Sequence, residues 1–225
     1  MNLAAVPPLT PWKLNRHDVA IATVLAVVLA ATFTWLSSGA SLLVTFLPGA
    51  LFAWLILIQF YRGRYEMPGT ATFLPVYVLA LSVQFVHFAE EFITGFPTDF
   101  ALLYGGRPYD VNLFVAFNLS AYAIFAAAAA IAFTKRLGFL LTPALFFLMY
   151  GCIGNAIAHT TWSIMLGAYF PGLYTAQLFW IAGPWALNTL TGGRHWRLVI
   201  GLTIAFAAVM IPLLVVFADP ARLSG

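Results

Sequence analysis

Seven long apolar runs constrain the fold of this chain more than any other feature of its sequence. They cover residues 19–36, 42–61, 73–93, 113–134, 139–166, 174–190 and 198–217. Each run is of the length that crosses a bilayer as a helix, and within lipid a helix satisfies its backbone hydrogen bonds inside one segment. The composition, 63% hydrophobic and 8% charged, is also typical of a membrane protein. We predict an all-α, polytopic transmembrane helix bundle of about seven spans, forming a single domain over residues 1–225.

The basic residues predict the orientation of this bundle, because Lys and Arg are enriched in cytoplasmic loops. If seven spans alternate, eight of the ten basic residues fall on one side, namely Lys13, Arg16, Arg62, Arg64, Lys135, Arg136, Arg194 and Arg197. This distribution predicts that the N-terminus is inside and the C-terminus outside. An alternative interpretation leaves six spans, with the first run cleaved as a signal peptide near Ser38, Gly39 and Ala40. The basic residues are too few and too scattered to predict a nucleic-acid partner.

The third apolar run contains an unusual group of polar side chains, Gln84, His87, Glu90 and Glu91. On a helix, Glu90 lies about 60° to one side of His87 and Glu91 about 40° to the other, and Gln84 lies on the same face one turn earlier. An ionised side chain at this depth costs several kcal/mol, so such residues normally face the bundle interior, pair with each other and mark a functional site. We therefore predict a site at this stripe.

Other predicted helices carry polar residues at a similar depth. Asn155 and His159 are spaced i, i+4 in the fifth run, Asn118 and Tyr122 have the same spacing in the fourth, and Gln177 lies near the start of the sixth. Together with His87 they predict a polar site that opens towards the outer face. A simpler interpretation is that the acidic cluster reaches into the headgroups, that His159 is a packing residue, and that the amides and Tyr122 join helices by hydrogen bonds.

The connection over residues 94–112 is the longest on the predicted outer side. It contains three glycines and the charged residues Asp99, Arg107 and Asp110. Two interpretations fit this composition, a lid over the site or an ordinary solvated loop.

The motif and its surroundings resemble one known family. The matching residues are His87-Phe88-Ala89-Glu90-Glu91, Gly95-Phe96-Pro97, His159, Tyr169-Phe170-Pro171-Gly172 and Thr175-Ala176. In this combination the chain is similar to the HXXEE family of bacterial integral membrane proteins over about residues 73–180. The resemblance implies a bacterial cytoplasmic (inner) membrane and draws attention to His87, Glu90, Glu91 and His159. It implies no particular reaction.

The residue types themselves indicate a chemistry. Two histidines with one or two carboxylates are suitable ligands for a divalent metal such as zinc, with a position left open for water. We therefore predict that His87, Glu90, Glu91 and His159 are both the catalytic and the metal-binding residues. Gln84, Asn118, Tyr122, Asn155 and Gln177 are predicted to support them. The expected activity is hydrolysis of a lipid or lipid-linked substrate near the outer face.

Two other functions remain open from the sequence. Two neighbouring carboxyl groups in a dry pocket cannot both ionise cheaply, which suits a metal-free acid–base isomerase or cyclase of an apolar lipid or isoprenoid. Buried His and Glu residues also serve proton-coupled transporters and metal- or lipid-binding membrane proteins. The expected partners are membrane lipid and a small-molecule or lipid substrate, and the sequence gives no indication of the oligomeric state.

Overall fold

A computed structural model describes residues 12–223, and all regular secondary structure in that range is helical. The ends of the predicted domain, residues 1–11 and 224–225, lie outside the described residues. The α-helices are α1 (Arg16–Leu36), α2 (Ser41–Arg62), α3 (Thr70–Ile93), α4 (Phe96–Leu103), α5 (Val111–Lys135), α6 (Leu141–Phe146), α7 (Asn155–Leu166), α8 (Leu173–Ala176), α9 (Phe179–Leu190) and α10 (Trp196–Val216). The predicted all-α bundle is therefore confirmed.

Six helical segments of the described chain are long and apolar enough to cross a membrane, which identifies an integral membrane protein. Five are α1, α2, α3, α5 and α10, and the sixth is the continuous segment Gly138–Leu166. The predicted run 174–190 instead forms the short helices α8 and α9, joined by i to i−3 hydrogen bonds around Gln177 and Leu178. At 1.5 Å per residue, the 12-residue α9 is about 18 Å long, less than the roughly 30 Å hydrocarbon core. The count of seven spans stays a prediction.

The segment Gly138–Leu166 lies at the centre of the bundle, with α2, α5, α9 and α10 packed around it. Its first part, residues 138–154, carries almost only apolar side chains, as a helix buried on all sides requires. Glycine permits the closest contacts. A Cβ at Gly49 of α2 would lie 2.6 Å from the Tyr150 Cβ, and one at Gly183 of α9 would lie 2.9 Å from the Cys152 Cβ.

The central segment is not a uniform α-helix. A π-helix over Phe147–Gly154 separates α6 from α7. Its wider turns change the angular position of every later residue, and such insertions occur frequently at functional sites. Here the π-helix immediately precedes Asn155 and lies one turn before His159.

The connection between α3 and α5 contains regular structure, which an ordinary solvated loop would not have. It contains α4, which begins at Phe96 with Pro97 in its first turn, and Tyr104 follows the helix. The Tyr104 hydroxyl donates to the Leu214 carbonyl at 3.1 Å and accepts from Trp162 Nε1 at 2.7 Å. These bonds hold α4 against α7 and α10, and Phe96 of α4 lies against His159 of α7.

Candidate metal centre

A histidine–glutamate–histidine cluster lies at the contact between α3 and α7. His87 and Glu91 are one turn apart on α3, and His159 reaches them from α7. The Nε2 atoms of both histidines lie 3.3 Å from the same oxygen, Glu91 Oε1. The two histidines are fully buried, and Glu91 is only 5% exposed. The three residues can hold a metal ion, because their candidate ligand atoms all lie within 4.8 Å of one another.

The two histidine Nε2 atoms are buried without any hydrogen-bond partner. Glu91 Oε1 is close to both nitrogens, but it lies outside the direction that a regular hydrogen bond requires. Buried polar atoms are nearly always paired, and an exception calls for an explanation such as an ion. A cation between the three ligand atoms would supply the missing partner for both nitrogens at once.

The spacing of the ligand atoms agrees with this explanation. Zinc binds His nitrogen and carboxylate oxygen at about 2.0–2.2 Å in tetrahedral geometry. Two ligand atoms at that distance and at a tetrahedral angle are roughly 3.3–3.5 Å apart. Both nitrogen–oxygen distances in the cluster are 3.3 Å, which agrees with two edges of such a tetrahedron, and three ligands would leave a fourth position for water or substrate.

Glu90 is held at a different place from its neighbour. Its Oε1 accepts from the Tyr169 hydroxyl at 2.7 Å and from the Tyr174 backbone N–H at 3.0 Å. Its Oε2 accepts from the Thr175 backbone N–H at 2.8 Å and from the Thr175 hydroxyl. Four donors therefore fix the Glu90 carboxylate against the start of α8, outside the His87–Glu91–His159 cluster.

Thr175 connects Glu90 to the cluster and determines which His87 nitrogen carries the proton. The only hydroxyl proton of Thr175 is donated to Glu90. Since His87 Nδ1 lies 2.9 Å from the same hydroxyl oxygen, Nδ1 has to be the donor in that contact. The neutral imidazole then has its lone pair on Nε2, the atom that faces Glu91. A carboxylate and a hydroxyl behind a histidine are a common way to orient a metal ligand.

Tyr169 remains a donor in this arrangement. It lies outside the candidate membrane spans, on the connection after α7. Burial raises the pKa of the Tyr169 phenol above its usual range, and the nearby Glu90 carboxylate raises it further. The phenol is thus protonated at neutral pH and donates to Glu90.

Close packing around His159 restricts its position. Its ring lies 4.8 Å from that of His87, 4.9 Å from that of Trp162 and 5.4 Å from that of Phe96, measured between centroids. Gly172 covers the other edge, where a Cβ would lie 2.6 Å from His159 Cε1. Gly172 also has φ +88°, which disfavours any residue with a side chain.

A cavity of about 370 Å³ extends from Glu91 between α1, α2, α3, α5 and the central segment. Its walls are mostly apolar, and phenylalanine is the commonest lining residue, as at Phe33, Phe117 and Phe146. Ser120 and Ile124 of α5 line it and are exposed on the outside of the bundle. The cavity therefore opens sideways between α1 and α5, towards the lipid, and its composition suits an apolar chain.

Three of the predicted supporting residues form a hydrogen-bond chain along this cavity. Gln84 Nε2 donates to the Tyr122 hydroxyl at 3.0 Å, and that hydroxyl donates to Asn118 Oδ1 at 3.0 Å. Asn118 Nδ2 in turn donates to the Phe114 carbonyl at 2.9 Å. Asn155 lines the same cavity and donates through Nδ2 to the Gly151 carbonyl at 3.1 Å.

The structure brings most of the predicted site residues together. His87, Glu91 and His159 form the cluster, Gln84, Asn118, Tyr122 and Asn155 line the adjoining cavity, and Glu90 lies beside the cluster behind Thr175. This placement favours a positioning role for Glu90 over the predicted role as a ligand. Gln177 is exposed, and its side chain donates to Thr160 Oγ1 and to the Leu173 carbonyl.

Sequence analysis assigns no role to Thr175, Tyr169 or Gly172, although all three belong to the segments that resemble the HXXEE family. Comparison with known proteins adds no further information: no family model matches the sequence, and no curated protein or solved structure matches the chain. The HXXEE resemblance thus stays a prediction, and the function has to be inferred from the site itself.

Proposed function

We propose that this protein is a membrane-embedded, metal-dependent hydrolase that cleaves an ester or amide bond in a lipid or lipid-linked substrate. The observation that carries the proposal is the pair of buried histidine Nε2 atoms without partners, both 3.3 Å from Glu91 Oε1. Two histidines, one glutamate and one open position are the ligand set of several zinc hydrolases. The adjoining apolar cavity supports a lipid as the substrate.

In this proposal His87, Glu91 and His159 hold a divalent metal, with zinc as the candidate. The ion would lower the pKa of a bound water and polarise the substrate carbonyl. Both histidines face Oε1 of Glu91, which leaves Oε2 to accept a proton from the attacking water. Glu90 and Thr175 keep the His87 Nε2 lone pair directed at the metal position.

The proposed location is near the outer face of a bacterial cytoplasmic membrane. It rests on the seven-span arrangement with the N-terminus inside, because eight of the ten basic residues would then mark the opposite, inner side. A substrate would reach the cavity from the outer leaflet, through the opening between α1 and α5.

A second candidate is a metal-free isomerase or cyclase of an apolar lipid. The observation that favours it is the mostly apolar cavity wall, because isomerisation needs no water. Glu91 would exchange a proton with the lipid, and the two histidines would stabilise its charged form. Chelators would have no effect on such an enzyme, whereas they would inactivate the proposed hydrolase.

The test is hydrolysis of a panel of fluorogenic lipid esters and amides by the purified protein. The proposal predicts turnover that 1,10-phenanthroline abolishes and added zinc restores. His159→Ala should be inactive, and His17→Ala, a histidine exposed at the start of α1, should keep the activity. Turnover that survives complete removal of metal would contradict the proposal and favour acid–base chemistry by Glu91.

A further inference from the structure

Gln84 has an unpaired hydrogen-bond acceptor beside the cavity. The side chain is 4% exposed and lines the cavity, and its Oε1 has no hydrogen-bond partner. A buried acceptor without a partner is energetically unfavourable. This atom therefore marks a place where a bound molecule can contribute a donor.

The orientation of the Gln84 amide follows from the chain of bonds that ends at Phe114. A backbone carbonyl can only accept, so Asn118 must direct its Nδ2 at the Phe114 carbonyl and its Oδ1 at Tyr122. The Tyr122 proton is then used on Asn118, so the Tyr122 oxygen has to accept from Gln84 Nε2. The terminal atom of Gln84 that remains free is the oxygen.

Two other polar groups of the cavity wall, Asn155 and Tyr109, also have an oxygen that can accept a hydrogen bond. Asn155 directs its nitrogen at the Gly151 carbonyl, which leaves its oxygen for a ligand. The Ser41 hydroxyl donates to the Ser38 carbonyl, so Tyr109 has to donate its proton to Ser41. With the Glu91 carboxylate at one end, this wall offers acceptors in an otherwise apolar space.

We propose that the cavity binds a lipid alcohol, whose hydroxyl group donates a hydrogen bond to Gln84 Oε1. The apolar walls accommodate the hydrocarbon part of the lipid. The acceptors favour a lipid that ends in a hydroxyl group, because an ether cannot donate a hydrogen bond. Gln84 and Glu91 are seven residues apart on α3, so they lie on the same face about 10 Å apart along the axis. The hydroxyl of the bound lipid would thus lie about two helical turns from the part of the lipid that reaches the metal centre.

This inference rests on the proposed function only in taking the bound lipid to be the substrate, and it is tested by binding without turnover. Two photoreactive probes share a diazirine-bearing C16 chain, and one ends in a primary alcohol where the other ends in a methyl ether. The purified protein in nanodiscs is labelled with each probe, and labelled peptides from residues 113–125 are quantified by mass spectrometry. One neutral hydrogen bond predicts a roughly 3- to 10-fold preference for the alcohol.

Variants assign that preference to Gln84. Gln84→Met, which keeps the length of the side chain but removes its polar atoms, should lower the alcohol-to-ether ratio to about one. Gln84→Glu retains an oxygen acceptor and should keep the preference. Gln59→Met makes the same substitution at an exposed glutamine of α2 and should match the wild type.

Equal labelling by both probes in the wild-type protein would overturn the inference, and so would an unchanged preference in Gln84→Met. A water molecule satisfying Gln84 Oε1, or recognition of the hydroxyl by Glu91 alone, would produce these results. Metal content and ester hydrolysis are measured on the same preparations. A preference for the alcohol in protein without metal would reject the hydrolase and leave the lipid-alcohol site standing.

Discussion

Glu90 and Glu91 are adjacent in sequence and have the same chemistry, yet they occupy different surroundings. Glu91 is buried between two histidines that have no other partner for Nε2. Glu90 is partly exposed and receives four hydrogen bonds from the connection after α7 and the start of α8. The rotation of about 100° between successive helical residues accounts for the difference. In this protein, therefore, one carboxylate of the pair lies within the histidine cluster, and the other is bonded to residues beside it.

The largest expected effect separates the two glutamates directly. Glu91→Gln removes a charged ligand while keeping the size of the side chain, so hydrolysis should fall by more than the roughly 100-fold that loss of an outer orienting group costs. Glu90→Gln should lose activity only within the range of roughly 10- to 100-fold. The rate of lipid-ester hydrolysis is the measurement. Equal losses of activity in the two variants would contradict the claim that Glu90 and Glu91 have different roles.

Thr175 tests the link between the two carboxylates. Thr175→Val removes the hydroxyl that accepts from His87 Nδ1 and donates to Glu90, so metal affinity should fall roughly 10- to 100-fold. Thr175→Ser keeps the hydroxyl and should restore most of that affinity. Competition with a fluorescent zinc chelator measures the affinity of each variant. If valine and serine bind zinc equally well, the hydroxyl does not orient His87.

Gly172 tests how closely the cluster is packed. Gly172→Ala introduces a Cβ at a positive φ, which costs about 1–2 kcal/mol of stability, and places it 2.6 Å from His159 Cε1. We expect a lower melting temperature and a roughly 10-fold loss of metal affinity. Gly167→Ala is the matched control, because Gly167 has φ +62° but no atom within 4 Å of an added Cβ. It should lose stability and keep its metal affinity, and the same affinity loss in both variants would contradict the packing argument.

The smallest effect is expected from removing the Tyr169 hydroxyl, which donates to Glu90. Tyr169→Phe removes one of the four hydrogen bonds to this partly exposed carboxylate. A single bond of this kind contributes about 0.5–1.5 kcal/mol, and the three remaining donors still hold Glu90 in place. Zinc affinity should therefore change less than in Thr175→Val. A loss as large as that of the valine variant would show that Tyr169 has a role of its own.

The helical architecture could be predicted from the sequence because length and apolarity determine a membrane span. Five of the predicted runs correspond to α1, α2, α3, α5 and α10, and the run 139–166 corresponds to the central segment. The run 174–190 has the composition of a span, but the bonding around Gln177 divides it into two helices. The π-helix could not be predicted either. Phe147–Gly154 is apolar on all sides, so it has no alternation of polar and apolar residues from which the number of residues per turn could be inferred.

Part of the candidate site could also be predicted from the sequence, because helical spacing determines which side chains share a face. Helical spacing places His87, Glu90 and Glu91 on one face, and the depth of His159 predicts that it meets them. The spacing does not decide which glutamate enters the cluster, because both lie within about 60° of His87. That choice depends on Thr175 and Tyr169, which approach Glu90 from another part of the chain. The contacts of these two hydroxyl groups with Glu90 depend on the tertiary fold, so no local sequence pattern predicts them.

The most direct measurement of the central claim is elemental analysis of wild-type protein, Glu91→Gln and Glu90→Gln, purified in the same detergent without chelators. We predict about one divalent metal ion per chain in the wild type, none in Glu91→Gln, and a retained but more easily removed ion in Glu90→Gln. Wild-type protein without metal, or a Glu91→Gln variant that keeps the full amount, would contradict the assignment of His87, Glu91 and His159 as a metal centre.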